Sequence, residues 1–167
     1  MKLLPTILFF VALAPMIQSK AQDSKKEKAA KQEQAIQTMT SDRRFVFQAQ
    51  SASPMKGGTR QLSPGYTIVV KGDTVDCYLP YYGRAYSASI NPSDAGIKFT
   101  SSDYEYIVNE RKKGGFDITI APKDVHNSVK VYLSVARNGS ASARVTSSDR
   151  QPISFNGYLE AYEDKKK

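Results

Sequence analysis

From Arg43 onward, apolar residues recur at every second position. Phe45 and Phe47 alternate with Val46 and Gln48. Tyr66, Ile68 and Val70 alternate with Thr67 and Lys71, and Val75, Cys77 and Leu79 with Thr74 and Asp76. The pattern returns at Tyr104, Tyr106 and Val108, at Phe116, Ile118 and Ile120, and at Val129, Val131, Leu133 and Val135. It continues through Ala141, Ala143 and Val145 to Ile153, Phe155 and Leu159, ending near Tyr162, with shorter candidates at Ile97–Thr100 and Arg84–Ile90. Period two is the signature of half-buried strands. Gly72-Asp73, Lys112-Lys113-Gly114-Gly115 and Asn138-Gly139 separate runs as tight turns, and Gly tolerates the positive φ such turns need. Parallel strands need crossovers of about a dozen residues, which these gaps do not allow. The expected fold is all-β, a single antiparallel sandwich or barrel of about eight to ten short strands. A flat sheet of this size would leave one face unburied. Spacing alone leaves sandwich and barrel both open.

Residues 1–21 read as a signal peptide. Lys2 is a short positive region, Leu3–Ile17 an apolar run, and Ser19 and Ala21 are small residues where signal peptidase reads. The run is shorter than the roughly 20 residues of a comfortable membrane span; the competing reading is an uncleaved anchor. The expected location is periplasmic or secreted, with no membrane span in the mature chain. Residues 22–42 form a polar lead, flexible or helical, since Gln22–Gln37 is rich in Lys, Gln, Glu and Ala but has no apolar stripe. Residues 43–162 form the β domain and 163–167 a charged tail.

Cleavage would leave 146 of the 167 residues, enough for one domain with a real core. It removes Lys2 and Lys20 and no acid, so the net charge falls from +8 to +6. A basic balance suits nucleic acid, anionic lipid or acidic glycan, but the remaining basic residues are scattered rather than massed. That favours solubility over polyanion binding, and no nucleic-acid partner is expected. The lone Cys77 cannot form an internal disulfide, so an exported domain would depend on its core alone. Tryptophan is absent and tyrosine numbers 10; a tyrosine ring packs on a sheet while its hydroxyl reaches water.

Leu79-Pro80-Tyr81-Tyr82-Gly83-Arg84-Ala85-Tyr86 gathers three tyrosines and an arginine around Pro80 and Gly83. Pro80 restricts itself and Leu79, while Gly83 permits close approach. Aromatic rings and a guanidinium on a rigid turn suit a sugar ring, a flat ligand or a partner surface. Tyr81, Tyr82, Arg84 and Tyr86 are therefore the candidate contacts. The competing reading is a corner whose tyrosines pack on the core and cap backbone groups. With Arg44-Phe45-Val46-Phe47, Asn138-Gly139 and the small residues after it, and Ile153-Ser154-Phe155-Asn156-Gly157, this segment resembles domain-of-unknown-function family 4251. That family consists of exported proteins of Gram-negative bacteria. The resemblance spans about Arg43 to Leu159. It implies an envelope protein with a compact β-rich domain, and it implies no activity and no site residues. Some similar proteins look like lipoproteins; this chain lacks their cysteine beside the signal peptide.

Residues that could carry chemistry are sparse. His126 is the only histidine, and with Asp124 it does not form a zinc-ligand spacing. A Cys77–His126 nucleophilic pair is conceivable, but Cys77 shares the apolar face of Val75 and Leu79, where a thiol acts as a small hydrophobe. Asp103 with Glu105, and Glu160 with Glu163 and Asp164, are carboxylates close in sequence. Glycoside hydrolysis requires a defined separation across a cleft, which a sequence does not show, and the latter group is most simply a solvated terminus. No phosphate-cradling glycine loop and no nucleophile elbow is present. The expectation is a non-catalytic binding module of the bacterial envelope, without cofactor or metal, whose partner is a small molecule, a glycan or an envelope protein. The alternative is a structural or protein-interaction component; an enzyme of unknown class ranks third.

Overall fold

The computed structural model describes residues 18–86, 96–112 and 114–164, with side chains from residue 26 onward. One helix, α1 (Gln18–Ser41), precedes ten strands: β1 (Arg44–Pro54), β2 (Arg60–Gln61), β3 (Thr67–Lys71), β4 (Thr74–Leu79), β5 (Ile97–Ser101), β6 (Tyr104–Glu110), β7 (Phe116–Pro122), β8 (Lys130–Val135), β9 (Ser140–Thr146) and β10 (Ile153–Ala161). All pairings are antiparallel. The strand order is β5-β4-β3-β1-β10-β9-β8-β7-β6, with β2 paired to β1 beside this path. The sheet curls into a nearly closed barrel, which decides between the two architectures that spacing left open. The expected turns are in place, with Gly72, Gly114, Gly115 and Gly139 at positive φ.

The seam follows from strand direction. Nine antiparallel neighbours in a row leave the two end strands, β5 and β6, pointing the same way, yet only Ser102 and Asp103 separate them. They cannot form a hairpin. They are two halves of one kinked strand, the first paired with β4 and the second with β7. Asp124 fixes the kink: its carboxylate accepts from Ser101 Oγ at 2.5 Å, from the Ser102 amide at 3.0 Å and from the Asp103 amide at 3.3 Å. Across the seam the Tyr104 hydroxyl donates to the Gly72 carbonyl, and beside it the Tyr106 hydroxyl donates to the Thr40 carbonyl of α1 at 2.9 Å.

The barrel interior is filled by the alternating apolar residues, including Phe45, Phe47, Ile68, Leu133 and Phe155, all essentially without exposure. Cys77 lies among them, and burial pushes its thiol pKa up. In β1 a bulge shifts the register against β10 between Ala49 and Ser51, and the alternation breaks just after it, where Ser51 and Ala52 are both buried. Opposite the bulge, a Cβ on Gly157 would overlap the Gln48 carbonyl oxygen and lie 2.9 Å from its carbonyl carbon. Glycine lets two strand backbones approach at this barrel corner.

The lead is helical, and its last turns dock. Ile36 and Thr40 are buried and Met39 packs on the core. Gln32 donates to the Asn138 carbonyl at 2.7 Å, and Glu33 pairs with Arg137 at 3.2 Å, at the β8–β9 turn. Lys26–Ala30 is exposed, as expected of a helix without an apolar stripe. Of the candidate strand Arg84–Ile90, Ala85 makes a single bridge with Arg150. Its remainder from residue 87 lies outside the described residues, as do the apolar run Leu3–Ile17 and Lys165–Lys167.

Candidate functional site

The proline-tyrosine segment leaves β4 at the barrel end away from the docked helix. It is tied there to the β9–β10 connection: the Gln151 amide donates to the Arg84 carbonyl at 3.0 Å, and the Tyr86 amide to the Asp149 carbonyl at 2.7 Å. This short ladder divides the four candidate residues. Tyr81 turns inward and is half-buried. Its hydroxyl lies 2.8 Å from the Arg84 carbonyl and 3.1 Å from the Gln151 carbonyl, and shares one proton between them. The Arg150 guanidinium stands 5.0 Å from its ring centre. Burial raises the phenol pKa despite these contacts. Gly83 is the complement of that ring, since a Cβ there would lie 2.7 Å from Tyr81 Cζ. Tyr81 is thus part of the wall, as the packing alternative held, whereas Tyr82, Arg84 and Tyr86 are exposed.

Sequence reasoning missed the Asp149–Arg150 pair. Arg150 Nη2 donates to Asp149 Oδ2 at 2.8 Å and Nε at 3.0 Å, while Nη1 donates to the Gly96 carbonyl at 3.1 Å. Ser147 Oγ donates to Asp149 Oδ1 at 2.6 Å. Burial opposes ionisation of Asp149, but the Arg150 and Ser147 hydrogen bonds outweigh it, so its pKa is lowered. Both side chains are mostly buried, at 16% and 19% exposure, so the pair is a fixed strut. Adjacent opposite charges within a loop carry no recognisable period, which is why spacing gives no sign of it.

Two hollows flank this strut. A cavity of about 220 Å³ opens where β5 and the β7–β8 connection diverge at the seam. Ile97, Phe99, Val125, Val129, Val145 and Ile153 give it apolar walls, and Lys98, His126, Asp149 and Arg150 a polar rim. Beside His126, Asn127 and Ser128 both take left-handed backbone conformations. Such strain persists only where surroundings impose it, and it clusters at ligand clamps. The second hollow, about 430 Å³ and more open, is lined by Lys56, Tyr82, Gly83, Arg84 and Gln151. The Arg60 guanidinium stands 4.9 Å from the centre of the Tyr82 ring. Gln151 lines both hollows, whereas Tyr86, 65% exposed, lines neither. His126 and the buried Cys77 line different hollows.

A family model described as "Domain of unknown function (DUF4251)" matches residues 27–159. A solved structure, the crystal structure of a DUF4251 family protein from Bacteroides eggerthii DSM 20697, superposes with a TM-score of 0.60 at 11% identity. The match covers 81% of this chain and 91% of that one. At that identity the likeness shows the barrel fold alone. No curated protein matches the chain. The family model spans most of the chain and the structural match agrees with it, so the chain belongs to the DUF4251 family.

Proposed function

We propose that this protein is a non-catalytic binding module of the bacterial envelope, exported to the periplasm or beyond, and that it holds its ligand at the barrel end carrying the two hollows. The observation behind this reading is the division of the tyrosine segment. Tyr81 is fixed by two carbonyls and a guanidinium, and that rigidity holds Tyr82 and Arg84 outward over a hollow. Preorganised, exposed aromatic and guanidinium groups lose little entropy on binding. Cys77 is buried in the core and lines a different hollow from His126, which favours binding over nucleophilic catalysis.

Native mass spectrometry of the protein purified gently from its own cells tests this reading. The expected result is a mass excess from a retained small molecule, lost in Tyr82→Ala and Arg84→Ala, with unfolding midpoints close to the parent's. Retention of the excess in both variants, or a bare monomer throughout, contradicts it. A second reading rests on β6, whose edge away from β7 has no ladder partner among the described residues and which exposes Ile107 and Val108. Such an edge can accept a strand from another protein. A discrete larger complex in the same spectrum, abolished by Ile107→Pro, favours that reading.

A further inference from the structure

We infer that the hollow beside Tyr82 takes a carboxylated sugar ring, as in an acidic glycan; this rests on the reading of that barrel end as a binding site. The hollow has an unusual balance of polar groups. Lys56 and Arg84 line it with Tyr82, Arg60 stands over that ring from beside it, and among the described residues no carboxylate lines the hollow. Among the described residues, none of the three cations forms an ion pair. Their charges therefore add. The cationic side chains there only donate hydrogen bonds, with the Gln151 amide beside them able to meet a hydroxyl.

The tyrosine adds a second requirement. Tyr82 is 37% exposed with Arg60 over its ring, so part of an aromatic surface remains for a flat or C–H-lined partner. A uronic acid meets both demands: its C–H face lies on the tyrosine, and its carboxylate accepts a forked pair of bonds from a guanidinium. A neutral sugar would leave three cations unmatched. A single-stranded nucleic acid wants successive stacking platforms along a basic track, and here Tyr86 lies outside the hollow that Tyr82 lines. The net charge of +6 that remains once Lys2 and Lys20 are removed draws an acidic polymer toward the surface and makes its binding salt-dependent.

Calorimetric titration of the purified protein with hexagalacturonate, maltohexaose and hexathymidylate decides the matter. The expected result is saturable binding of hexagalacturonate alone, weakened by added salt. Its Kd should rise at least about tenfold in Tyr82→Ala and in Arg84→Ala, and Arg84→Lys should recover only part of the loss, because an ammonium lacks the fork. Circular dichroism melts should overlay for all variants. Preferential binding of maltohexaose or of hexathymidylate overturns the acidic-sugar assignment and leaves the binding reading intact. Hexagalacturonate binding that both alanine variants retain overturns the site. If none of the three binds while native mass spectrometry still shows a retained molecule lost in Tyr82→Ala, the sugar class is wrong and the module reading survives. If that molecule is also absent, both fail.

Discussion

Tyr81 and Gly157 show how much a single position depends on what lies across from it. Tyr81→Phe keeps the ring under Arg150 but removes the proton shared by the Arg84 and Gln151 carbonyls. The expected loss is about 1 kcal/mol, the usual net value of one hydrogen bond, read by urea denaturation. Gly157→Ala is the more severe change, because its Cβ meets backbone of β1 rather than a movable side-chain end. It should cost about 2–3 kcal/mol as overpacking. Gly58→Ala, with nothing within 4 Å of its Cβ, should stay within about 0.5 kcal/mol. Equal effects at both glycines would refute the close approach at the barrel corner. These roles were only partly legible in the sequence. The tyrosine segment stood out by composition, but which tyrosine faces inward depends on the ladder to Arg150 and Gln151, some 70 residues away. Nothing local marks Gly157, because the bulge it faces lies in β1, a strand distant in sequence.

At the scale of elements, the kink that turns β5 into β6 depends on Asp124. In sequence this residue is marked only by its place two positions before His126, where no zinc-ligand spacing forms; in the fold it accepts three hydrogen bonds from Ser101–Asp103. The Ser101 hydroxyl, then the Ser102 amide, lower its carboxyl pKa below the ordinary 3.8. The sign of the stability effect follows. Between the lowered folded value and 3.8, the unfolded chain carries the proton and the folded chain does not. Stability therefore rises with pH through that window, is fully present above 3.8, and fades as acid protonates the folded carboxylate. Asp124→Asn should melt below the parent at neutral pH, and the gap should narrow steadily once the pH falls under 3.8. A gap of constant size down to the acid limit would mean that the carboxylate charge does nothing for the kink. Strand periodicity found both halves of this strand. It gave no sign that they continue in one direction, because direction emerges only when the antiparallel pairs are counted round the whole sheet.

Closure of the whole barrel depends on tyrosines at the seam, and that dependence has an alkaline signature. Alternation and short gaps were enough to indicate an antiparallel all-β fold, since both are local. The choice of a barrel was not local: at its seam Tyr104 reaches Gly72 of the β3–β4 turn and Tyr106 reaches Thr40 of α1, across 32 and 66 residues of sequence. Both phenols are partly withdrawn from water, and burial is the leading cause of their raised pKa values. Each also donates its proton to a backbone carbonyl, a bond that a phenolate cannot make. A group whose folded pKa is raised contributes stability in full below its unfolded value, here 10.0, and loses it as the pH climbs from there toward the folded value. Above pH 10.0 the unfolded chain gains from ionising these tyrosines while the folded chain does not, so the barrel should open in base. Phenolate absorbance followed together with circular dichroism should show most of the 10 tyrosines titrating gradually, and a last group ionising in step with loss of the sheet. The double variant Tyr104→Phe, Tyr106→Phe separates the two contributions because they act in opposite directions. It should be less stable than the parent at neutral pH, where two hydrogen bonds are lost at about 1 kcal/mol each. Its loss of stability above pH 10.0 should be shallower, because the unfolded chain has two fewer phenols to ionise. If the parent's tyrosines all ionised before the sheet signal changed, the seam would be held by something other than these two hydroxyls.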